Sequence, residues 1–109
     1  MKARNRPAMK TLLNTSFFFS PTVADEVRRQ LKSFWLPACR AAAASEPMTL
    51  KMPAEEGIMR MAVQSVFGSA SEARKFRDEV LGPETDRMTR RLGAEAFTAF
   101  TTMMEIIEL

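Results

Sequence analysis

Leu12-Leu13-Asn14-Thr15-Ser16-Phe17-Phe18-Phe19-Ser20-Pro21 passes from one kind of secondary structure to another within a single short stretch. Up to Phe19 the residues favour extended backbone. Side chains alternate along a strand, so Leu13, Thr15, Phe17 and Phe19 fall on one side and Leu12, Asn14, Ser16 and Phe18 on the other. Both sides carry apolar groups, the pattern of a central strand covered on both faces. Ser20 then supplies a helix N-cap. Pro21 supplies the first helical position, where a missing N–H has no partner to lose. Behind it Val23, Val27, Leu31, Phe34 and Trp35 repeat at helical spacing, with Arg28, Arg29 and Lys32 off the stripe.

The same grammar runs twice. Pro37 breaks or kinks the first helix, and residues 38–44 form a short further piece. Residues 47–52 read as a strand with Met48, Leu50 and Met52 on one face and Thr49 and Lys51 on the other. Residues 53–57 carry turn signals, and residues 58–67 return as a longer strand. Ser69-Ala70-Ser71-Glu72 has capping-box spacing and opens a helix with the stripe Ala73, Phe76, Val80 and Leu81. Gly82-Pro83 interrupts it as Leu36-Pro37 interrupts the first. Residues 84–92 form the next helical piece, Gly93 stops it, and residues 97–109 close the chain as a strand.

Two strand–helix–strand units joined by a hairpin predict an α+β, ferredoxin-like βαββαβ sandwich. Its antiparallel sheet has the order 4-1-3-2, with both helices on one face. The other face then carries several large apolar groups, which are seldom left in water. A second copy packed on that face gives an isologous homodimer, a dimeric α+β barrel-like assembly.

Length and charge set bounds. The chain has 109 residues, enough for one domain over residues 10–109, preceded by a disordered basic tail over residues 1–9. Lys2, Arg4, Arg6 and Lys10 account for the net charge of +3; from Thr11 onward 12 basic residues face 13 acidic ones. The positive charge therefore belongs to the tail, and nucleic acid is not an expected partner of the folded part. No apolar run approaches the ~18 residues of a membrane span, so no membrane partner is expected. Asn14-Thr15-Ser16 interrupts the apolar stretch that a secretory leader would need. The single cysteine, Cys39, forms no disulfide within the chain and suits a reducing compartment such as the cytoplasm.

Arg91-Leu92-Gly93, followed by Phe100-Thr101-Thr102-Met103-Met104-Glu105, resembles the closing segment of an uncharacterised bacterial family of short ferredoxin-like proteins, known only as a domain of unknown function. In that family a basic residue, an aromatic or aliphatic residue and Gly precede a strand of the type Phe-x-Thr-hydrophobic-hydrophobic-Glu. Trp35-Leu36-Pro37 is similar to the family's aromatic-to-Ile-Pro break, and Leu13-Asn14-Thr15 to its first strand. The resemblance covers about residues 10–109. It departs at the His that often precedes the family's Ile-Pro pair, where this chain has Trp35 and Leu36. It implies the fold and no established activity.

The chemistry sought is mostly missing. Without His or Tyr there is no Ser–His–Asp or Cys–His set and no zinc set. Nine methionines include Met59 and Met61 on one strand face, but Met is first a packing residue. Arg87, Arg90 and Arg91 read as a solvated helical face. No catalytic residue, metal site or cofactor is expected. The polar residues set within strands are the ligand-binding candidates: Asn14, Arg60 and Gln64, with Thr101 or Thr102 beside them, either around a cavity between sheet and partner or in a hydrogen-bonded interface network. The favoured function is a non-catalytic homodimeric module that binds a partner or a small-molecule ligand through the covered face. The alternative is a small cofactor-independent dimeric-barrel enzyme, oxygenase- or isomerase-like, acting on a small organic molecule. Deleting residues 1–8 should leave the melting temperature nearly unchanged; a large drop would make the tail part of the fold.

Overall fold

The computed structural model describes residues 10–109. The tail expected over residues 1–9 lies outside them. Four strands, β1 (Thr11–Phe19), β2 (Met48–Glu55), β3 (Ile58–Phe67) and β4 (Phe97–Glu105), form one sheet of order β2-β3-β1-β4. All three pairings are antiparallel. This is the ferredoxin-like βαββαβ arrangement, with the expected order counted from the opposite edge. The crossovers are helical: α1 (Ala24–Gln30) and α2 (Leu36–Ala42) in the first, α3 (Ala70–Phe76) and α4 (Gly82–Leu92) in the second.

Strand β1 alternates strictly between buried and half-buried residues. Its buried side faces the helices. There Leu13, Phe17 and Phe19 join Val63, Phe67 and Phe97 of the neighbouring strands and Val27, Leu31, Trp35, Ala73, Phe76, Leu81 and Met88 of the helical layer in one core. Trp35 is fully buried and meets Phe17 edge-on, with ring centroids 5.0 Å apart. Met59 and Met61 pack against this core. Ser20 caps the entry to the first crossover, its hydroxyl accepting from the Thr22 N–H. Ser69 caps α3 by accepting from the Glu72 N–H, as the capping-box spacing predicts.

The prolines mark interruptions of the regular α-helix, as expected, and the interruption takes a specific form. Neither ends its helix. Each follows a π-helical turn, Leu31–Trp35 before Pro37 and Arg77–Leu81 before Pro83. The Leu36 N–H donates to the Leu31 carbonyl and the Gly82 N–H to the Arg77 carbonyl, each five residues back. A proline ring in a regular α-helix collides with the carbonyl four residues back and leaves it without a donor. The wider turn shifts that carbonyl, so the chain continues as α2 and α4. Two strand ends also move. β2 runs on through Pro53 to Glu55 across a register shift, leaving Glu56 and Gly57, both at positive φ, as the turn. β4 ends at Glu105 rather than Leu109, although the Ile106 N–H still donates to the Lys10 carbonyl at 2.9 Å.

Cys39 is buried in α2, 2% exposed. Burial pushes its thiol up from the ordinary value, and the neighbouring Ser65 hydroxyl opposes this less strongly. Because the folded thiol holds its proton to higher pH than the unfolded one, stability is full below the unfolded value, ~8.5, and declines as pH rises above it. Native protein at pH 8 should therefore alkylate with iodoacetamide only as fast as it unfolds, and Cys39→Ala should flatten the alkaline loss of stability. Rapid labelling of the native thiol would contradict the burial.

Candidate functional site

The face of the sheet opposite the helices is set by register. Asn14 lies opposite Gln64 on one side and Thr102 on the other, and Met48 lies opposite Gln64. These four form one row across all four strands. The next row is Leu50, Ala62, Ser16 and Phe100, and the one beyond is Met52, Arg60, Phe18 and Thr98. Leu12, Val66 and Met104 make a fourth, apolar row on the other side of Asn14.

This face is amphipathic in a specific way. A polar line crosses it: the Gln64 amide donates to Asn14 Oδ1 at 3.0 Å, and the Asn14 amide donates to Ser16 Oγ at 3.0 Å. Around that line stand large exposed apolar side chains: Met48 (57%), Phe100 (55%), Met104 (45%), Ile58 (41%) and Leu50 (36%). Phe18 and Phe100 pack diagonally across the strands, with ring centroids 5.4 Å apart. The aliphatic and aromatic groups outnumber the polar ones, and the amides are turned toward each other.

The five sequence candidates divide. Asn14, Gln64 and Thr102 share one row. Arg60 shares their face but sits two rows away, where its Nε donates to the Pro53 carbonyl at 3.1 Å and its Nη1 lies 3.4 Å from Glu55. There it lines an open cleft of about 430 Å³ with Phe18, Glu55, Glu56 and Ile58. Thr101 points to the helical side, where its hydroxyl lies 2.9 Å from that of the buried Thr15. The parity of a strand separates Thr101 from Thr102, and only the register decides which of the two joins Asn14. The exposed apolar set was expected on this face as dimer surface, not as ligand-binding residues. Among the described residues no group of three or more His, Cys, Asp or Glu could hold a metal ion, and no helix is long and apolar enough to cross a membrane.

No protein-family model and no curated protein matches the chain. Solved structures do. A dimeric ferredoxin-like protein from an uncultured marine organism superposes with a TM-score of 0.59 at 8% identity, covering 93% of this chain and 98% of that one. The fold is ferredoxin-like. A second dimeric ferredoxin-like protein from an uncultured marine organism gives 0.56 at 12% identity, over 91% and 96% of the two chains. A NIPSNAP-family protein of unknown function from Agrobacterium tumefaciens gives 0.56 at 10% identity, over 93% and 90%. At such identities the likeness establishes the ferredoxin-like fold and transfers no activity.

The Asn14–Gln64 bond invites a double-mutant cycle. Asn14→Ala and Gln64→Ala should each cost little, with a coupling of about 1 kcal/mol in urea unfolding. A coupling near zero would mean that water or another partner serves both amides.

Proposed function

We propose that the chain works as a homodimeric binding module whose interface is the open face of the sheet. The observation that carries this reading is the set of exposed apolar side chains, Met48, Leu50, Ile58, Phe100 and Met104, flanking the polar line on a face that no element among the described residues covers. Surfaces of that kind mark interfaces. A second copy is the occupant that fits best. Four strands about 4.8 Å apart, each nine or so residues at about 3.3 Å, present roughly 600 Å² in plan. Side-chain relief brings the accessible area toward the ~800 Å² per partner typical of stable complexes. The face is also self-complementary: a two-fold axis near Asn14 lays one amide row against another and one apolar flank against the other. Charged residues on the face are few, with Arg60 and Glu55 paired at its end. The dimeric state named for two of the structural neighbours agrees with this arrangement.

Within such a dimer, Asn14, Gln64 and Thr102 form a polar seam that orients a small-molecule ligand or simply pins the register of the two copies. Arg60 stands at the rim. None of Asn14, Ser16, Gln64 and Thr102 titrates near neutral pH, so the seam offers hydrogen bonds rather than acid–base catalysis. That favours a binding role over the cofactor-independent enzyme reading. Light scattering at micromolar concentration should give the dimer mass. Phe100→Lys should weaken the dimer at least ~30-fold, the effect of losing one aromatic anchor, while leaving the far-UV circular dichroism unchanged. A monomeric native protein would overturn the proposal.

A further inference from the structure

The two halves of the chain place a π turn and a proline at matching points, but they fill the neighbouring space differently. Beside the first π turn, Leu31 and Leu36 line a small apolar cleft of about 210 Å³ against Thr49 of the edge strand β2. Counted from the proline, the matching residues of the second half are Arg77 and Gly82. There the cleft grows to about 440 Å³ against Ala99 and Thr101 of the other edge strand, β4.

The backbone angle at Gly82 does not require glycine. Its φ of −59° is helical, and glycine inside a helix is disfavoured. An added Cβ would stand 3.3 Å from the Arg77 carbonyl oxygen, a close but single contact. Leu36 carries a full side chain at the matching point, after the same five-residue hydrogen bond. What the bare position does is keep the cleft open. Gly82, Thr85 and Asp86 stand at i, i+3 and i+4, on one face of α4, and all three line the cleft.

The charges around it are of both signs. The Arg77 Nε donates to Asp78 at 2.8 Å, while its Nη1 has only the Met103 sulfur, 4.0 Å away. Thioether sulfur is a weak acceptor, so the outer edge of the guanidinium retains capacity for a carboxylate. Among the described residues Asp86 makes no ion pair or hydrogen bond. The Thr101 hydroxyl, held by Thr15, adds a fixed polar group on the sheet side. A lone anion would meet Asp78 and Asp86; a lone cation would meet Arg77. A molecule with both charges satisfies each end. Nine residues of helix separate Arg77 from Asp86, about 13 Å along the axis, and the two side chains span part of that distance.

We propose that this cleft binds a small aminocarboxylate, with its carboxylate on Arg77, its ammonium on Asp86, and the hydroxyls of Thr85 and Thr101 between them. The site lies on the helical side of the sheet at the outer edge of β4, apart from the open face, so it stands or falls independently of the dimer. The test is a titration of the ¹⁵N-labelled full-length protein with glycine, β-alanine and 4-aminobutyrate. Acetate and methylammonium serve as single-charge controls. The expected result is saturable shifts of the Gly82, Thr85 and Thr101 amides with at least one aminocarboxylate, and binding of both controls weaker by about tenfold or more. Asp86→Asn and Arg77→Met should each weaken binding by a similar factor. Gly82→Leu should abolish the shifts while the far-UV circular dichroism stays that of the folded protein. If that variant fails to fold, the exposed Asp86→Asn carries the test alone. No saturable shift with any of the three ligands, acetate binding as tightly as they do, or Gly82→Leu leaving binding intact would each overturn the proposal.

Discussion

Strand β1 is hydrogen-bonded along both edges, to β3 and to β4, and apolar on both faces. Side chains repeat every second residue, so a slip of one position would exchange its two faces entirely. Phe17 and Phe19 in the core and Thr15 against Thr101 hold the register from one side. The Gln64–Asn14–Ser16 line holds it from the other. Both crossovers return to the same side of the strand, and the residues left on the far side define the open face. The exposure of Phe100 and Met48 follows from that placement rather than from any local feature of β4 or β2.

The helical layer has a constraint of its own. Glu84 is buried, 3% exposed, and its carboxylate takes hydrogen bonds from the Gln30 amide and from Arg87. Glu26 pairs with Arg91 and Arg29. A buried carboxylate is costly unless each oxygen has a partner. Gln30 and Glu26 come from α1 and Glu84 and Arg91 from α4, so the pairs set how the two crossovers lie against each other. The π turns give these helices their widened middles, and beside them the cleft at Gly82 is larger than the one at Leu36.

Much of this was legible in the residues, and the failures have physical causes. The alternation of β1, the span of β3, the caps at Ser20 and Ser69 and the stop at Gly93 depend on local rules, and those rules held. The prolines marked where the regular α-helix is interrupted, but not the form of the interruption; a π turn needs a hydrogen-bond shift that no single residue announces. Nothing local marks Glu84 as buried, since its burial depends on a partner 54 residues away. The candidate residues divide in the structure. Asn14, Gln64 and Thr102 converge, while Arg60 lies at the rim and Thr101 on the opposite side. Strand parity can be read within one strand, but alignment between strands comes only from the pairing.

A face of exposed apolar groups built around a short line of mutually bonded amides is the central feature of the molecule, and a second copy is the cover we propose for it. Mixed samples, half the chains ¹³C-labelled and half unlabelled, would report on it directly through isotope-filtered intermolecular NOEs. The account predicts contacts between the methyl groups of Met48, Leu50 and Met104 in one copy and the aromatic protons of Phe18 or Phe100 in the other. A sample in which those methyl groups show NOEs only within their own chain would contradict it.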